Sequence, residues 1–486
     1  MKIKFYVLTL LIIAKSCCTL FAQSNVSWFY PWETNLNNLV TDKGDFIPIN
    51  RGGKNYRILK IDNFSGSMIK SVQFSSDGLS ITLSELPVLK NYLGNDIVDV
   101  VLPISSNYKL EKSISTTSRY FLVVLKGINS GKKDISIILT TDKASYKIKN
   151  TAVVGKSGYT RNISLNTWPY FDYNFMLKGT KSSMIDILHS LGANVLVIPP
   201  YVLPHITDKS RPNNLIDYLS GAKNKFNYYI IYFGGFQAKS NNFCSTTWYA
   251  SYPAWIKNLT SEMNALGIRQ DQILLYPIDE PKGENIGKLD QIISFSKRNG
   301  ITNSFFSTAE NNMALDKMTA IKYGQLHTGQ GNLENAKVRS RASSNNNTWI
   351  YETRFGKSRE QSPVNYLRLG WKASLLGATG IGMWNFCDVR DAYSSGQQKQ
   401  ILQGTPSWNI IPQNPGYDNS IVYRKGSKLY SSIRGLALSS ALEEVFWLKL
   451  YRNKNGASAT NNLLNNLISG NSDYSDLETI KCKLIN

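Results

Sequence analysis

Histidine and cysteine are both scarce in this chain, three and five residues among 486. No cluster of them has the spacing of a metal site, so no metal is expected. No glycine-rich loop opens a helix directly after a strand. The glycines between Gly377 and Gly382 lack that setting, which excludes the phosphate cradle of nucleotide enzymes. No organic cofactor is implied. No internal repeat recurs, which excludes solenoids and propellers. Beyond the N-terminal segment no apolar run reaches the ~20 residues that span a bilayer. Dense basic runs are also missing, although Lys and Arg outnumber Asp and Glu 55 to 34 and the net charge is +21. Scattered lysines of this kind read as a solvated surface. The functional alternative is attraction to an anionic partner, such as a sulfated or uronate-rich polysaccharide or the cell surface. A nucleic-acid partner is not indicated.

The N-terminus is a targeting segment. Lys2 and Lys4 precede the apolar run Phe5–Ala14, and Leu20-Phe21-Ala22-Gln23 offers a small residue for cleavage. The run is too short for a membrane span, so residues 1–22 are expected to be a secretory signal peptide and the protein secreted or periplasmic. Cys17 and Cys18 raise a lipid-anchored alternative, against which Lys15 and Ser16 make a poor lipidation box. Cleavage after Ala22 removes Lys2, Lys4 and Lys15, taking +21 to +18. It leaves Cys244, Cys387 and Cys482, an odd and widely spaced set that rules out a disulfide framework.

Two regions differ in their apolar pattern. Residues 23–160 carry short β-branched runs, such as Tyr56–Ile61, Tyr120–Leu125 and Ile135–Thr140, separated by Gly, Asn, Asp and Ser. That spacing predicts an antiparallel β-sandwich. Over 161–452, apolar strands alternate with amphipathic segments of helical length. The strands are expected at Ile163–Trp168, Asn194–Pro199, Tyr228–Phe233, Ile273–Ile278, Ile301–Ser307, Gly324–Thr328, Thr348–Thr353 and Gly380–Trp384. Helices are expected near Lys181–Leu191, Asn213–Ala222, Tyr252–Leu266, Glu284–Arg298 and Val364–Leu376, with a long final helix over Lys428–Tyr451. The fold class is therefore α/β, a (β/α)8 TIM-like barrel preceded by the sandwich. Residues 453–486, rich in Asn, Ser and Gly at their start, are expected to be a loose helix-and-loop tail.

Barrels of this kind place their chemistry where strands end. The fourth strand ends in Tyr276-Pro277-Ile278-Asp279-Glu280-Pro281. Two adjacent carboxylates after an apolar run resist joint ionisation, so an unused pair there would be costly. The plain alternative is an acidic N-cap for the helix near Glu284. Cleaving a glycosidic bond needs a proton for the leaving oxygen and a nucleophile or negative charge below the anomeric carbon. Glu280 suits the acid. Asp279, being the next residue, cannot stand on the opposite sugar face, but it can orient a 2-acetamido group whose carbonyl oxygen attacks instead.

These residues resemble the Asp-Glu-Pro motif of glycoside hydrolase family 123 and of the related barrels called domain of unknown function 4091. Asn166-Thr167-Trp168 is similar to that family's first strand, and Gly377–Phe386 to its last. Ile433-Arg434 with Ala441-Leu442-Glu443-Glu444-Val445 is similar to its closing helix, without the Gly and Tyr of the family's Gly-x-Glu-Asp-Tyr pattern. The likeness covers about residues 100–450. It implies substrate-assisted hydrolysis of a β-N-acetylgalactosaminide, with Asp279 orienting the acetamide and Glu280 as acid/base.

Other strand-end residues are candidates for binding a sugar. Trp384 could stack on a ring or fill the core, and Trp168 and Tyr170 after strand one could line the cleft or be structural aromatics. Asn385 and Asp388 could bond hydroxyls or shape their loop. Tyr351 could bond an acetamide oxygen. Arg354 could meet an anionic group or pair with an acid. His327, one of three histidines, reads more simply as structural. Glu352, at the end of strand seven, supports a rival scheme in which Glu280 protonates and Glu352 attacks, with the two carboxyls ~5–5.5 Å apart. Pairing with Arg354 or Arg339 is its structural alternative. A further alternative to catalysis is a surface protein that binds glycans without cleaving them.

Overall fold

Alternation of inward and outward residues makes the first region a sheet protein. In the computed structural model, Leu79, Ile81 and Leu83, Phe121, Val123 and Leu125, and Ile135, Ile137 and Leu139 all enter one buried core. The period of two follows from the pleat of a strand. The structure describes residues 25–111, 117–206, 213–234, 243–309, 318, 320–328, 346–353, 357–471 and 473–485. The expected leader 1–22, with Cys17 and Cys18, and Arg339 and Arg354 lie outside them.

Five strands of the first unit, Val26–Phe29, Lys54–Ile61, Arg119–Gly127, Leu79–Leu86 and Leu102–Pro103, pair antiparallel. Five others, Ile47–Arg51, Ser145–Gly158, Gly131–Thr141, Met68–Ser75 and Tyr108–Lys109, form the second layer. The layers meet at a single pair, Gly127 with Arg51. Only glycine fits at that corner, because a Cβ on Gly127 would lie 2.7 Å from the Asn50 carbonyl oxygen. One correction concerns direction. Ile47–Arg51 runs parallel to both Ser145–Gly158 and Arg119–Gly127, so the sandwich is not wholly antiparallel.

The second unit, 160–473, is an eight-stranded parallel barrel. Its strands are β1 (Ser164–Asn166), β2 (Val195–Ile198), β3 (Tyr228–Tyr232), β4 (Ile273–Tyr276), β5 (Ser304–Ala309), β6 (Tyr323–His327), β7 (Asn347–Glu352) and β8 (Gly380–Met383). Each pairs with the next in sequence from β2 to β8, and β8 pairs with β1. Asn194 brings the remaining edges together. Its backbone N–H donates to the Leu165 carbonyl (3.3 Å), and its side-chain oxygen accepts from the Leu165 N–H (2.8 Å). The interior is packed: Val197, Ile230, Leu274, Phe306 and Trp349 fill it. Gly380 leaves the room that Trp349 occupies, since a Cβ there would sit 2.4 Å from the indole.

Helices α1 (Lys181–Leu191), α2 (Leu215–Leu219), α3 (Thr246–Ala265), α4 (Glu284–Arg298), α5 (Val364–Leu376) and α6 (Ser395–Leu402) follow barrel strands. The last barrel helix corrects the sequence reading. Lys428–Ser431 is a strand that pairs with Val422–Lys425 around Gly426. Only then does α7 (Ile433–Ser469) begin, with the Ser432 side chain accepting from the Gly435 N–H at 3.0 Å. It packs closely on α5, where Gly370 faces the Ala441 carbonyl with no room for a Cβ.

The tail is a second correction. α7 continues to Ser469 with a break at Gly456, and α8 (Tyr474–Ile485) belongs to the first unit. Charge explains the attachment. Arg57 is buried in the sheet and ion-paired to Asp42 (2.5 Å) and to Glu478 of α8 (2.7 Å), and Glu478 also pairs with Lys481 (2.8 Å). A buried guanidinium left without such partners would be severely destabilising. Among the described residues no helix is long and apolar enough to cross a membrane.

Candidate active site

Parallel strands bring their C-terminal ends to one mouth. Along β4, Leu274 and Tyr276 point inward and the chain turns at Pro277. Asp279 and Glu280 therefore reach the lip of the barrel. Glu280 has φ +40°, in the left-handed region that costs a non-glycine residue roughly 1–3 kcal/mol. Its N–H donates to Thr308 Oγ1 at the end of β5 (3.0 Å), which helps hold that backbone.

The Asp279 carboxylate accepts from three hydroxyls. Tyr276 and Thr308 (3.1 Å) donate to Oδ1, and Tyr232 from β3 donates to Oδ2 (3.3 Å). Tyr276 and Thr308 also lie 2.5 Å apart, oxygen to oxygen. Burial, and next to it the negative charge of Asp279, push the phenols of Tyr276 and Tyr232 well above their ordinary range. Both stay protonated donors. Glu280 accepts from the Tyr351 hydroxyl at Oε1 (2.6 Å).

Both acids line a cavity of about 600 Å³ together with Trp168, Tyr170, Trp384, Tyr232 and Tyr351. That size lies within the roughly 300–1,000 Å³ of small-molecule sites. The Trp168 and Trp384 rings are 5.8 Å apart, and Tyr170 meets Trp384 edge-on at 5.9 Å. Thr308, His327 and Thr353 supply the other polar lining. His327 Nε2 pairs with Thr353 Oγ1 at 3.0 Å, and its ring meets Tyr351 edge-on at 5.3 Å.

Six of the sequence candidates thus share one cavity: Asp279, Glu280, Trp168, Tyr170, Tyr351 and Trp384. Glu352 does not join them. Tyr351 points inward, so its neighbour on the strand points outward, where Lys372 of α5 holds the Glu352 carboxylate in an ion pair. Glu352 is accordingly not among the residues that line the cavity. Asn385 is also displaced: it is 1% exposed and outside the cavity lining, and its Oδ1 meets no partner among the described residues.

Tyr232, Tyr276, Thr308 and Thr353 were missed in the sequence. His327 was read as structural. A signal existed, because each side chain falls in the inward register at or just past a strand end. Counting in steps of two from the buried Ile230, Leu274 and Phe306 leads to Tyr232, Tyr276 and Thr308.

No family model matches the chain, and no curated protein matches it. Among solved structures, it is similar to a family 123 glycoside hydrolase from Clostridium perfringens, described there in terms of glycolipid glycan hydrolysis. The match has 13% identity, covers 92% of each chain and has a TM-score of 0.59. The chain therefore has the fold of that family. An endo-beta-1,4-mannanase from Thermotoga petrophila is more distant, at 12% identity over 59% of this chain and 77% of that one, with a TM-score of 0.35. So is the endo-1,4-beta-D-xylanase 10B of Clostridium thermocellum, at 9% over 87% and 94%, with a TM-score of 0.31. Neither of these two bears on the site.

Proposed function

We propose that the protein is a glycoside hydrolase, a β-N-acetylhexosaminidase of galactosaminide type that uses its substrate's own acetamide as nucleophile. One observation carries this reading. Asp279 and Glu280 are the only carboxylates among the described lining residues of the cavity, and they are adjacent in sequence. Neighbouring residues on one lip cannot flank both faces of a sugar ring. The nucleophile then has to come from the substrate, an exception known to the two-carboxylate scheme.

In this mechanism Glu280 protonates the leaving oxygen as the anomeric C–O bond breaks. The acetamide carbonyl oxygen forms the new bond to the anomeric carbon, giving a cyclic oxazolinium. Asp279, oriented by three hydroxyls, accepts the amide N–H and faces the positive charge that develops there. Water then attacks the anomeric carbon, opens the ring and returns a proton to Glu280. Tyr351 orients the Glu280 carboxyl, and Trp168 and Trp384 wall the cavity with apolar surface suited to a sugar face. The substrate is an oligo- or polysaccharide. With the leader read in residues 1–22, it is met outside the cytoplasm.

A series of aryl N-acetyl-β-galactosaminides with none, one, two and three fluorines on the acetyl group tests the mechanism. Each fluorine weakens the carbonyl oxygen, so kcat/KM should fall steadily along the series. Glu280→Gln should lose about 10²–10⁴-fold in kcat. Rates indifferent to fluorine would remove the substrate-assisted step. Binding without turnover, equal in wild type and Glu280→Gln, would establish the glycan-binding alternative.

A further inference from the structure

The cavity does not end at its lining tyrosines. Tyr173, in the loop after β1, packs against Tyr170 with ring centroids 5.2 Å apart. It also lies near enough to Tyr232 for a charge on one phenol to be felt by the other. The guanidinium of Arg390, in the loop after β8, sits over the Tyr173 ring at 5.0 Å. Arg390 makes a two-pronged pair with Asp388, Nε to Oδ1 at 3.0 Å and a terminal nitrogen to Oδ2 at 3.1 Å. The Arg390 side chain remains 56% exposed, and among the described residues its other N–H groups meet no acceptor.

This shelf is held from several sides. The Asn174 side-chain amide donates to the Cys387 carbonyl (2.8 Å), tying the first loop to the last. Cys387 and Asp388 pair as a short strand with Asn419 and Ser420. Asn414 donates to the Asp391 carbonyl (3.0 Å). Nothing in the catalytic scheme uses the shelf, yet these bonds brace it, Arg390 is left exposed, and Tyr173 adjoins the cavity wall through Tyr170.

From this we infer that Tyr173, Arg390 and Asp388 form a second sugar subsite, which takes an uncharged glycosyl unit joined to the one held in the cavity. The inference rests on the glycosidase reading above. Planar groups with fixed N–H and C=O directions match neighbouring hydroxyls, and the aromatic ring beneath keeps them in place. Charge decides the class of sugar. Asp388 neutralises Arg390, and the exposed Asp391 adds negative charge nearby, so a sulfate or carboxylate is disfavoured.

The test compares two substrates with the same terminal N-acetylgalactosamine: an aryl glycoside with one sugar, and a neutral disaccharide glycoside. The readout is the ratio of their kcat/KM values. Arg390→Met keeps an aliphatic stem on Tyr173 but removes the donors. That variant and Arg390→Ala should each lower the disaccharide's advantage about tenfold, the worth of one hydrogen bond from a charged donor. An unchanged ratio in both variants overturns the subsite. A sulfated disaccharide preferred over the neutral one in wild type, with the preference lost in Arg390→Met, overturns the uncharged assignment. Calorimetric binding of the neutral disaccharide to Glu280→Gln, with and without Arg390→Met, gives a readout that needs no turnover. Binding that weakens with Arg390→Met while wild type cleaves neither substrate would retain the subsite and refute the glycosidase reading. Absence of both binding and cleavage refutes both.

Discussion

Thr308 touches both acids, and its replacement by valine is the sharpest probe of the site. Valine keeps the shape and removes the hydroxyl. Three contacts go with it: the acceptor for the Glu280 N–H (3.0 Å), a donor to Asp279 Oδ1 (3.1 Å) and the partner of the Tyr276 hydroxyl (2.5 Å). Asp279 is open to the cavity, so water compensates much of its loss, and about 1 kcal/mol is a fair figure for that bond. The Glu280 amide is less accessible, and stranding it costs roughly 1–3 kcal/mol. It also releases a left-handed backbone that aims the proton donor. If about 2 kcal/mol of this is felt only in the transition state, kcat falls roughly 30-fold. Thr308→Ser, which keeps the hydroxyl, should stay within a few-fold of wild type. The assay is kcat and KM on an aryl N-acetyl-β-galactosaminide, with thermal melting alongside. Wild-type kcat in Thr308→Val, or an equal loss in the serine variant, would refute the reasoning. So would a deficit that appears in melting alone.

Two further outcomes follow from ion pairs away from the cavity. Glu352→Gln removes the partner of Lys372 behind the barrel wall, so kcat should change only a few-fold while stability drops by about 1 kcal/mol. A kcat loss matching that of Glu280→Gln would reinstate Glu352 as nucleophile. In the first unit, burial alone would raise the Glu478 carboxyl, but Lys481 and Arg57 outweigh it and hold it at about 2, below the ordinary 4.5. A carboxyl depressed on folding stabilises fully above pH 4.5 and loses that contribution as pH falls toward 2. Melting followed from pH 7 to 3 should therefore show the first unit weakening below pH 4.5. Glu478→Gln should cost about 3–5 kcal/mol at neutral pH and flatten that acid limb. A variant as acid-sensitive as wild type would mean that other carboxyls govern the limb.

Much of the barrel was legible because its signals are local. Lys181–Leu191, Glu284–Arg298 and Val364–Leu376 are helices within the residues their periodicity marked. Each barrel strand lies at its apolar run to within a few residues. The acidic pair stood out because an apolar strand ran straight into it. The final helix was misplaced at its start, because Lys428–Ser431 has no strand signal of its own and is extended only through pairing with Val422–Lys425. Residues 474–485 gave no sign of joining the first unit, since the reason is a buried arginine more than four hundred positions away.

What the chain's own residues determine, then, is the order of elements and the place of the two acids on a strand end, because periodicity and turn chemistry act over a few neighbours. Which side chains share the cavity was decided by closure of the barrel. A pleated strand sends Tyr351 inward and Glu352 outward, and only the three-dimensional arrangement of β3, β4 and β5 brings Tyr232, Tyr276 and Thr308 onto one carboxylate. Such convergence depends on the angle and register between strands distant in sequence. No local pattern encodes it.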